Sequence, residues 1–249
     1  MADKCLQIER NPAAHSIGWV AGEDVTPLKP RVLVVGLNHK TASLELRERL
    51  AFRKEELPQA LCKLRGRAGE GVILSTCNRI EIYATARDPF ELSRNIRGFL
   101  SDYHEVLWED IEPSVYEFLD AEAARHLFQV AGGLDSMVVG EWQIQEQVRR
   151  GFAASARSNA GALSATLCQL FQGALHAGQR IRKSASKNGA ASSIGDAAVS
   201  LVRREMGDQD RINVLVIGAG AVGETVAVGL GGDSATKLVI ANRTISHGN

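Results

Sequence analysis

The segment Thr76-Cys77-Asn78-Arg79-Ile80-Glu81 sets a thiol, a guanidinium and a carboxylate at every second residue. In an extended chain successive side chains alternate between faces, so Cys77, Arg79 and Glu81 are expected to share one. The thiolate is the nucleophilic form of cysteine, and a neighbouring guanidinium favours it, so the trio suits covalent attack on a carbonyl carbon. On these residues alone, a buried structural cysteine is the better explanation of Cys77. Cys5, Cys62 and Cys168 have no comparable neighbours, and no Cys-x-x-Cys pair occurs, so no metal site is expected.

A second group of residues suits phosphate. Gly218-Ala219-Gly220-Ala221-Val222-Gly223 follows the apolar run Arg211–Ile217 and opens a helical stretch, with another apolar run, Lys237–Ala241, beyond it. In that setting Gly218 makes the tight turn, Gly220 admits a pyrophosphate to the backbone and Gly223 lets helix and strand pack closely. The helix N-terminus offers unpaired N–H groups to the phosphates. Where an NAD site carries an acidic residue for the ribose 2′-hydroxyl, this chain has Asn242-Arg243-Thr244. Arg243 can pair with a 2′-phosphate and Thr244 can add a hydroxyl, which favours NADP(H); a solvated surface arginine is the alternative.

These groups need elements to hold them. Val32–Gly36, Gly71–Thr76 and the alternating Ile80–Thr85 predict strands, as does Val115–Leu119. Helices are predicted over about 44–51, 54–66 and 89–102. The order β-α-β-β-α-β is that of a split βαβ, ferredoxin-like sandwich. From 121 the pattern turns helical, with predicted helices over 122–130, 141–158, 163–181 and about 191–207. The fold class expected is α/β: a loose leader over 1–30, a ferredoxin-like catalytic domain over 31–160, a helical connector over 161–207 and an incomplete Rossmann unit over 208–249.

Composition excludes little. Lys+Arg and Asp+Glu both number 29, so no global field draws the chain to nucleic acid or membrane, and aromatics at 5% argue against a base-stacking platform. Arg180, Arg182, Lys183, Lys187, Arg203 and Arg204 form the main basic cluster, read as a solvated helix face with phosphate contact as the alternative. No run of about 18 apolar residues exists to span a membrane, and the first 30 residues lack the apolar stretch of a secretory signal. Scattered cysteines fit a reducing compartment, so a cytoplasmic location is expected.

Several separated blocks resemble the glutamyl-tRNA reductase family. Gly36-Leu37-Asn38-His39-Lys40-Thr41-Ala42 with Leu46-Arg47-Glu48-Arg49-Leu50 is similar to its opening, and Leu74–Tyr83 to the stretch carrying its nucleophile. His126-Leu127-Phe128, then Gly133–Glu141 with Gln143-Ile144, is a third match. The resemblance runs from about 31 to 244. It implies that Cys77 attacks the ester of glutamyl-tRNA to form a thioester, which hydride from NADPH converts to glutamate-1-semialdehyde, the first step of tetrapyrrole synthesis. It implies His126 as a general acid or base near the thiol. It further implies Thr76, Asn78, Arg79, Glu81, Ser136, Glu141 and Gln143 as contacts to the substrate, and the 218–223 turn with Asn242, Arg243 and Thr244 as the NADPH site. Full-length members point to a homodimer, with glutamate-1-semialdehyde aminomutase as a partner. His39 is read as tying down the loop after the first strand.

Three departures stand out. Ser43 and Trp142 occupy positions where the family usually has proline, and the chain supplies only β-α-β of a dinucleotide fold of about six strands. Such a two-stranded stub is expected to leave apolar faces uncovered. A non-reducing homologue that binds glutamyl-tRNA or a partner enzyme is one alternative. A dehydrogenase of the shikimate dehydrogenase type is another, and it leaves the first 210 residues unexplained.

Overall fold

The computed structural model describes residues 30–138, 141, 143–158, 163–186, 193–206, 212–231 and 236–243. Its contacts divide the chain into two units, 1–131 with 145–178, and 132–144 with 179–249. Val139, Gly140, Trp142, Lys187 and Thr244 lie outside the described residues, as does the predicted leader.

In the first unit, β1 (Arg31–Asn38), β2 (Val72–Ser75), β3 (Arg79–Ala86) and β4 (Tyr116–Leu119) form one sheet in the order β2-β3-β1-β4, every neighbouring pair antiparallel. This is the ferredoxin-like arrangement expected from the element order. Helices α1 (Leu44–Arg49) and α2 (Leu57–Ala68) connect β1 to β2, and α3 (Pro89–His104) follows β3. Leu33, Val35, Leu37, Ile73, Ile80, Ile82 and Ala84 point to one face and pack with Leu61 and Leu64 of α2 and with Leu92, Ile96 and Phe99 of α3. The remaining strand residues point to the opposite face, as a period of two requires. There α5 (Ala121–Ala131) packs on β1 and β4. Phe171 of α7 (Ala165–Ser186) meets the Tyr83 ring edge-on at 5.3 Å, and it stacks on Phe152 of α6 (Gln143–Ser158) at 5.3 Å.

The caps explain where two helices begin. Ser43 has extended backbone (φ −62°, ψ 164°), and its hydroxyl accepts from the Leu46 N–H at 3.3 Å, so it caps α1 where the family usually has proline. Asp88 accepts from Phe90 and Glu91 N–H groups at 2.8 and 3.2 Å, with Pro89 in the first turn of α3. The short helix α4 (Trp108–Ile111) and the 3₁₀ turn Glu112–Ser114 were not expected from sequence, because four residues are too few to show a period.

The second unit contains α8 (Ile194–Met206), β5 (Ile212–Ile217), α9 (Ala221–Gly231) and β6 (Thr236–Ala241), with β5 and β6 paired in parallel. Two glycines let α8 and α9 lie close. A Cβ on Gly195 would sit 2.6 Å from Thr225 Cβ, and one on Gly229 would sit 2.7 Å from Val199 Cγ2. Among the described residues, alternate residues Leu215, Ile217 and Val239 are exposed at 59%, 82% and 50%, an uncovered apolar face.

Candidate active site

Thr76, Cys77 and Asn78 form the turn between β2 and β3. Thr76 holds it from within, its Oγ1 accepting from the Asn78 and Arg79 N–H groups at 3.1 Å each while its own N–H donates to Arg79 O at 2.9 Å. Two neighbouring segments hold it from outside. The His39 backbone N–H donates to Asn78 O at 2.8 Å, so the loop after β1 is tied to the turn through its main chain. Arg47 of α1 donates from Nη1 to Cys77 O and to Asn78 Oδ1, the latter at 3.4 Å. Just before the turn, Ser75 Oγ accepts from the Phe52 N–H at 3.0 Å.

Cys77 is a free thiol and exposed. This corrects two readings of the bare sequence: Cys77 is not a buried structural cysteine, and it does not continue the alternation of β3. The strand begins at Arg79, and the Thr76 hydroxyl bends the chain ahead of it.

Arg79 and Glu81 face the α5 side and are buried, at 1% and 0% side-chain exposure, with Arg79 Nη1 donating to Glu81 Oε1 at 2.7 Å. The same carboxylate accepts from Tyr83 at 2.6 Å, from the Tyr116 hydroxyl, and from His126 Nε2 at 2.7 Å. The His126 ring lies against Tyr116 and Phe118 at centroid separations of 5.2 and 5.0 Å. Burial by itself pushes the Glu81 carboxyl up, but the His126 and Arg79 charges and the hydrogen bonds from His126 and Tyr116 outweigh it and hold the group well below the usual carboxylate range. Burial, then the adjacent Glu81 charge, pushes the Tyr83 phenol well above its ordinary value, so it stays a donor. Removing one partner from such a buried pair costs about 3–5 kcal/mol.

The structure thus brings Arg79, Glu81 and His126 together in one buried network, on a strand whose first residue, Arg79, follows the turn of Thr76, Cys77 and Asn78, all in the first unit. Ser136, Glu141 and Gln143 belong to the second unit. Glu141 is buried, with its N–H donating to Val138 O at 3.1 Å, and Gln143 begins α6. Sequence reasoning missed Arg47, Tyr83 and Tyr116. Tyr83 was readable from the period of two that links it to Arg79 and Glu81; Arg47 and Tyr116 reach the site through distant pairing that carries no local signal.

In the second unit Gly218 has φ +100°, a conformation that favours glycine, and its N–H donates to Ala241 O at 2.8 Å. A Cβ on Gly223 would lie 2.0 Å from Gly218 O, so only glycine fits where α9 starts. Among the described residues nothing lies within 4 Å of the place a Gly220 Cβ would take, which leaves that backbone open to a ligand. Asn242 closes the turn, its Oδ1 accepting from the Ala219 N–H at 3.2 Å, and Arg243 is exposed beyond β6. Ala221 and Val222 form the first turn of α9. These residues fit a dinucleotide pyrophosphate: an open glycine backbone beside a helix N-terminus, with a cation at the adjoining strand end. Arg180, Arg182, Lys183, Arg203 and Arg204 are exposed, as a solvated face requires; Arg203 donates to Gly229 O at 2.8 Å and Arg204 pairs with Glu205 at 3.0 Å. Among the described residues no helix is long and apolar enough to cross a membrane, and no group of three or more His, Cys, Asp or Glu could hold a metal ion.

Comparison with known proteins accounts for both units. The family model described as glutamyl-tRNAGlu reductase, N-terminal domain, matches residues 35–185, more than half of the chain. That of shikimate / quinate 5-dehydrogenase matches residues 200–249. The chain is 37% identical over 217 residues to a glutamyl-tRNA reductase of Shewanella pealeana, an alignment covering 86% of this chain and 51% of that protein. It is 38% identical over 216 residues to the Shewanella oneidensis reductase, with 86% and 50% covered. The solved structure of glutamyl-tRNA reductase from Methanopyrus kandleri matches with a TM-score of 0.56 at 35% identity, covering 87% of this chain and 50% of that one. The chain therefore spans about half the length of the relatives it matches. By its ferredoxin-like sheet, its cysteine turn and these matches, the chain belongs to the glutamyl-tRNA reductase family.

Proposed function

We propose that the chain carries out the acyl-transfer chemistry of a glutamyl-tRNA reductase, with Cys77 as nucleophile. The Cys77 thiolate attacks the ester carbonyl of glutamyl-tRNA; the C–S bond forms, the ester C–O bond breaks, and the tRNA 3′-terminal ribose leaves with a proton. His126 is the candidate donor of that proton, with Thr76, Asn78 and Arg79 as candidate contacts to the glutamyl group, joined by Ser136, Glu141 and Gln143. NADPH bound at the 218–223 turn would supply the hydride that converts the thioester to glutamate-1-semialdehyde and returns the thiolate. Gly218, Gly220 and Gly223 would admit its pyrophosphate, with Asn242 closing the turn and Arg243 and Thr244 facing the 2′-phosphate.

The observation that carries the proposal is a free, exposed thiol on a turn fixed by Thr76, His39 and Arg47, directly ahead of the buried Arg79–Glu81–His126 network. The family resemblance extends the reading to a cytoplasmic enzyme of tetrapyrrole synthesis, dimeric in full-length form, that hands its aldehyde to glutamate-1-semialdehyde aminomutase.

The test is to incubate the chain with radiolabelled glutamyl-tRNA, with and without NADPH, beside Cys77→Ser. Label trapped on the wild type and lost in the variant supports the thioester, and semialdehyde formed with NADPH supports the reduction. Trapping without semialdehyde restricts the chain to acyl transfer. Neither label nor semialdehyde defeats the catalytic reading and favours a homologue that binds glutamyl-tRNA without reducing it.

A further inference from the structure

Gly36 lies inside β1, paired with Glu81 of β3 on one side and with Tyr116 of β4 on the other. A glycine within a strand weakens it unless another group needs the space. Here one does. A Cβ on Gly36 would lie 2.7 Å from Glu81 Cγ and 2.7 Å from Ile80 O. The gap seats the Glu81 side chain over β1, where the Tyr116 hydroxyl reaches it from the far strand.

Four donors then converge on one carboxylate: Arg79, Tyr116 and His126 on Oε1, and Tyr83 on Oε2. An ionised carboxylate offers about four acceptor sites, and these donors equal that number, three of them crowded on Oε1. Glu81 is also 0% exposed, which leaves no approach for a substrate ammonium. One of its partners, Arg79, lies nearer the Cys77 turn. Arg79 follows the turn and accepts the Thr76 N–H at its own carbonyl, while His126 projects from α5.

Resting on the acyl-transfer reading above, we propose that Glu81 is a positioning residue, seated in the gap left by Gly36, which fixes Arg79 at the root of the Cys77 turn and His126 beside it. It acts on the reaction through these two residues and makes no contact with substrate.

Three variants test this. Glu81→Gln keeps the shape but removes the charge and turns an N–H toward the donors. Gly36→Ala removes no polar group but displaces the carboxylate. Tyr116→Phe removes a single donor. In single-turnover acylation by labelled glutamyl-tRNA, Glu81→Gln and Gly36→Ala are expected to lower the limiting rate about 100-fold, the scale of a misplaced reacting group, with the half-saturating concentration within about twofold of wild type. For Tyr116→Phe a fall of about tenfold is expected. A kept limiting rate in the folded Glu81→Gln and Gly36→Ala variants overturns the proposal. Where Glu81→Gln or Gly36→Ala fails to fold by circular dichroism, Tyr116→Phe decides, and an unchanged rate there overturns it.

Iodoacetamide alkylation of the Cys77 peptide, followed by mass spectrometry, reads the turn without tRNA. A several-fold change in that rate in the folded variants is expected, and wild-type rates throughout overturn the positioning role. A wild-type chain that is never acylated, in a set whose alkylation still depends on Glu81, refutes the acyl-transfer reading and leaves the positioning role standing.

Discussion

On β3 every side chain from Arg79 to Ala84 is buried, the polar ones beside α5 and the apolar ones beneath α2 and α3. On β5 and β6, Leu215, Ile217 and Val239 face outward while their alternates turn toward α8 and α9. Both sheets obey the same period of two, so the difference lies in what covers them. The first sheet is covered on both faces and can keep an ionised glutamate in its interior, because four donors and a missing Cβ make room for it. The second holds a glycine turn on a sheet whose one apolar face is uncovered among the described residues. The chemistry proposed for each follows that division: covalent attack needs a rigid, dry foundation, whereas phosphate binding needs only backbone N–H groups and a glycine turn.

The comparison breaks first at Phe171, which is fully buried between Tyr83 and Phe152. Phe171→Ala is expected to cost about 3–5 kcal/mol in urea unfolding, through lost burial and the cavity left behind. A cost below about 1 kcal/mol would mean that α7 does not cover the first sheet. Next comes the nucleotide turn. Gly223→Ala places a methyl 2.0 Å from Gly218 O and is expected to destabilise α9 by about 1–3 kcal/mol, read as faster hydrogen exchange across 221–231. Gly220→Ala meets no atom within 4 Å, so α9 exchange is expected to stay unchanged while NADPH affinity falls. Equal exchange in both variants would remove the structural argument for Gly223.

A smaller effect is expected in acid. Burial pushes the His104 imidazole down to about 4 against the opposing Glu56 charge, and its Nε2 is buried without a hydrogen-bond partner among the described residues. The unfolded chain takes up this proton first as pH falls below 6.5. His104 therefore contributes stability in full above that value and loses it progressively down to about 4. Denaturation curves between those limits should fall less steeply with acid in His104→Gln, and parallel curves would count against the assignment. The Glu81 carboxylate, held below the usual range, loses its contribution only in stronger acid. The smallest change is expected at Leu215→Lys on the open face: within about 0.5 kcal/mol of wild type, with less binding of an apolar dye. A large loss of stability there would mean that the face is covered.

Much of this was legible from residues alone. The strands over 32–36, 71–76 and 80–85 show either a continuous apolar run or a clean alternation, and the glycine turn stands between two such runs, so the layout could be written down before any coordinates. The exposure of Cys77 could not, because the Thr76 hydroxyl ends the alternation and a side-chain hydrogen bond leaves no trace in hydropathy. Nor could the four donors on Glu81, since Tyr116 and His126 lie 35 and 45 residues away and meet it only once the sheet has formed. Gly36 was the available clue: an interior strand glycine signals close approach by another group, although it does not say which one.

The central claim is that Cys77 is the acyl acceptor. The most direct test mixes the chain with glutamyl-tRNA in the absence of NADPH, quenches in acid and maps the adduct by peptide mass spectrometry. The account predicts a glutamyl group on the peptide carrying Cys77, labile to hydroxylamine and absent from Cys77→Ser. A glutamyl group on Cys62 or Cys168 instead, or glutamyl-tRNA left intact by a folded chain, would contradict it.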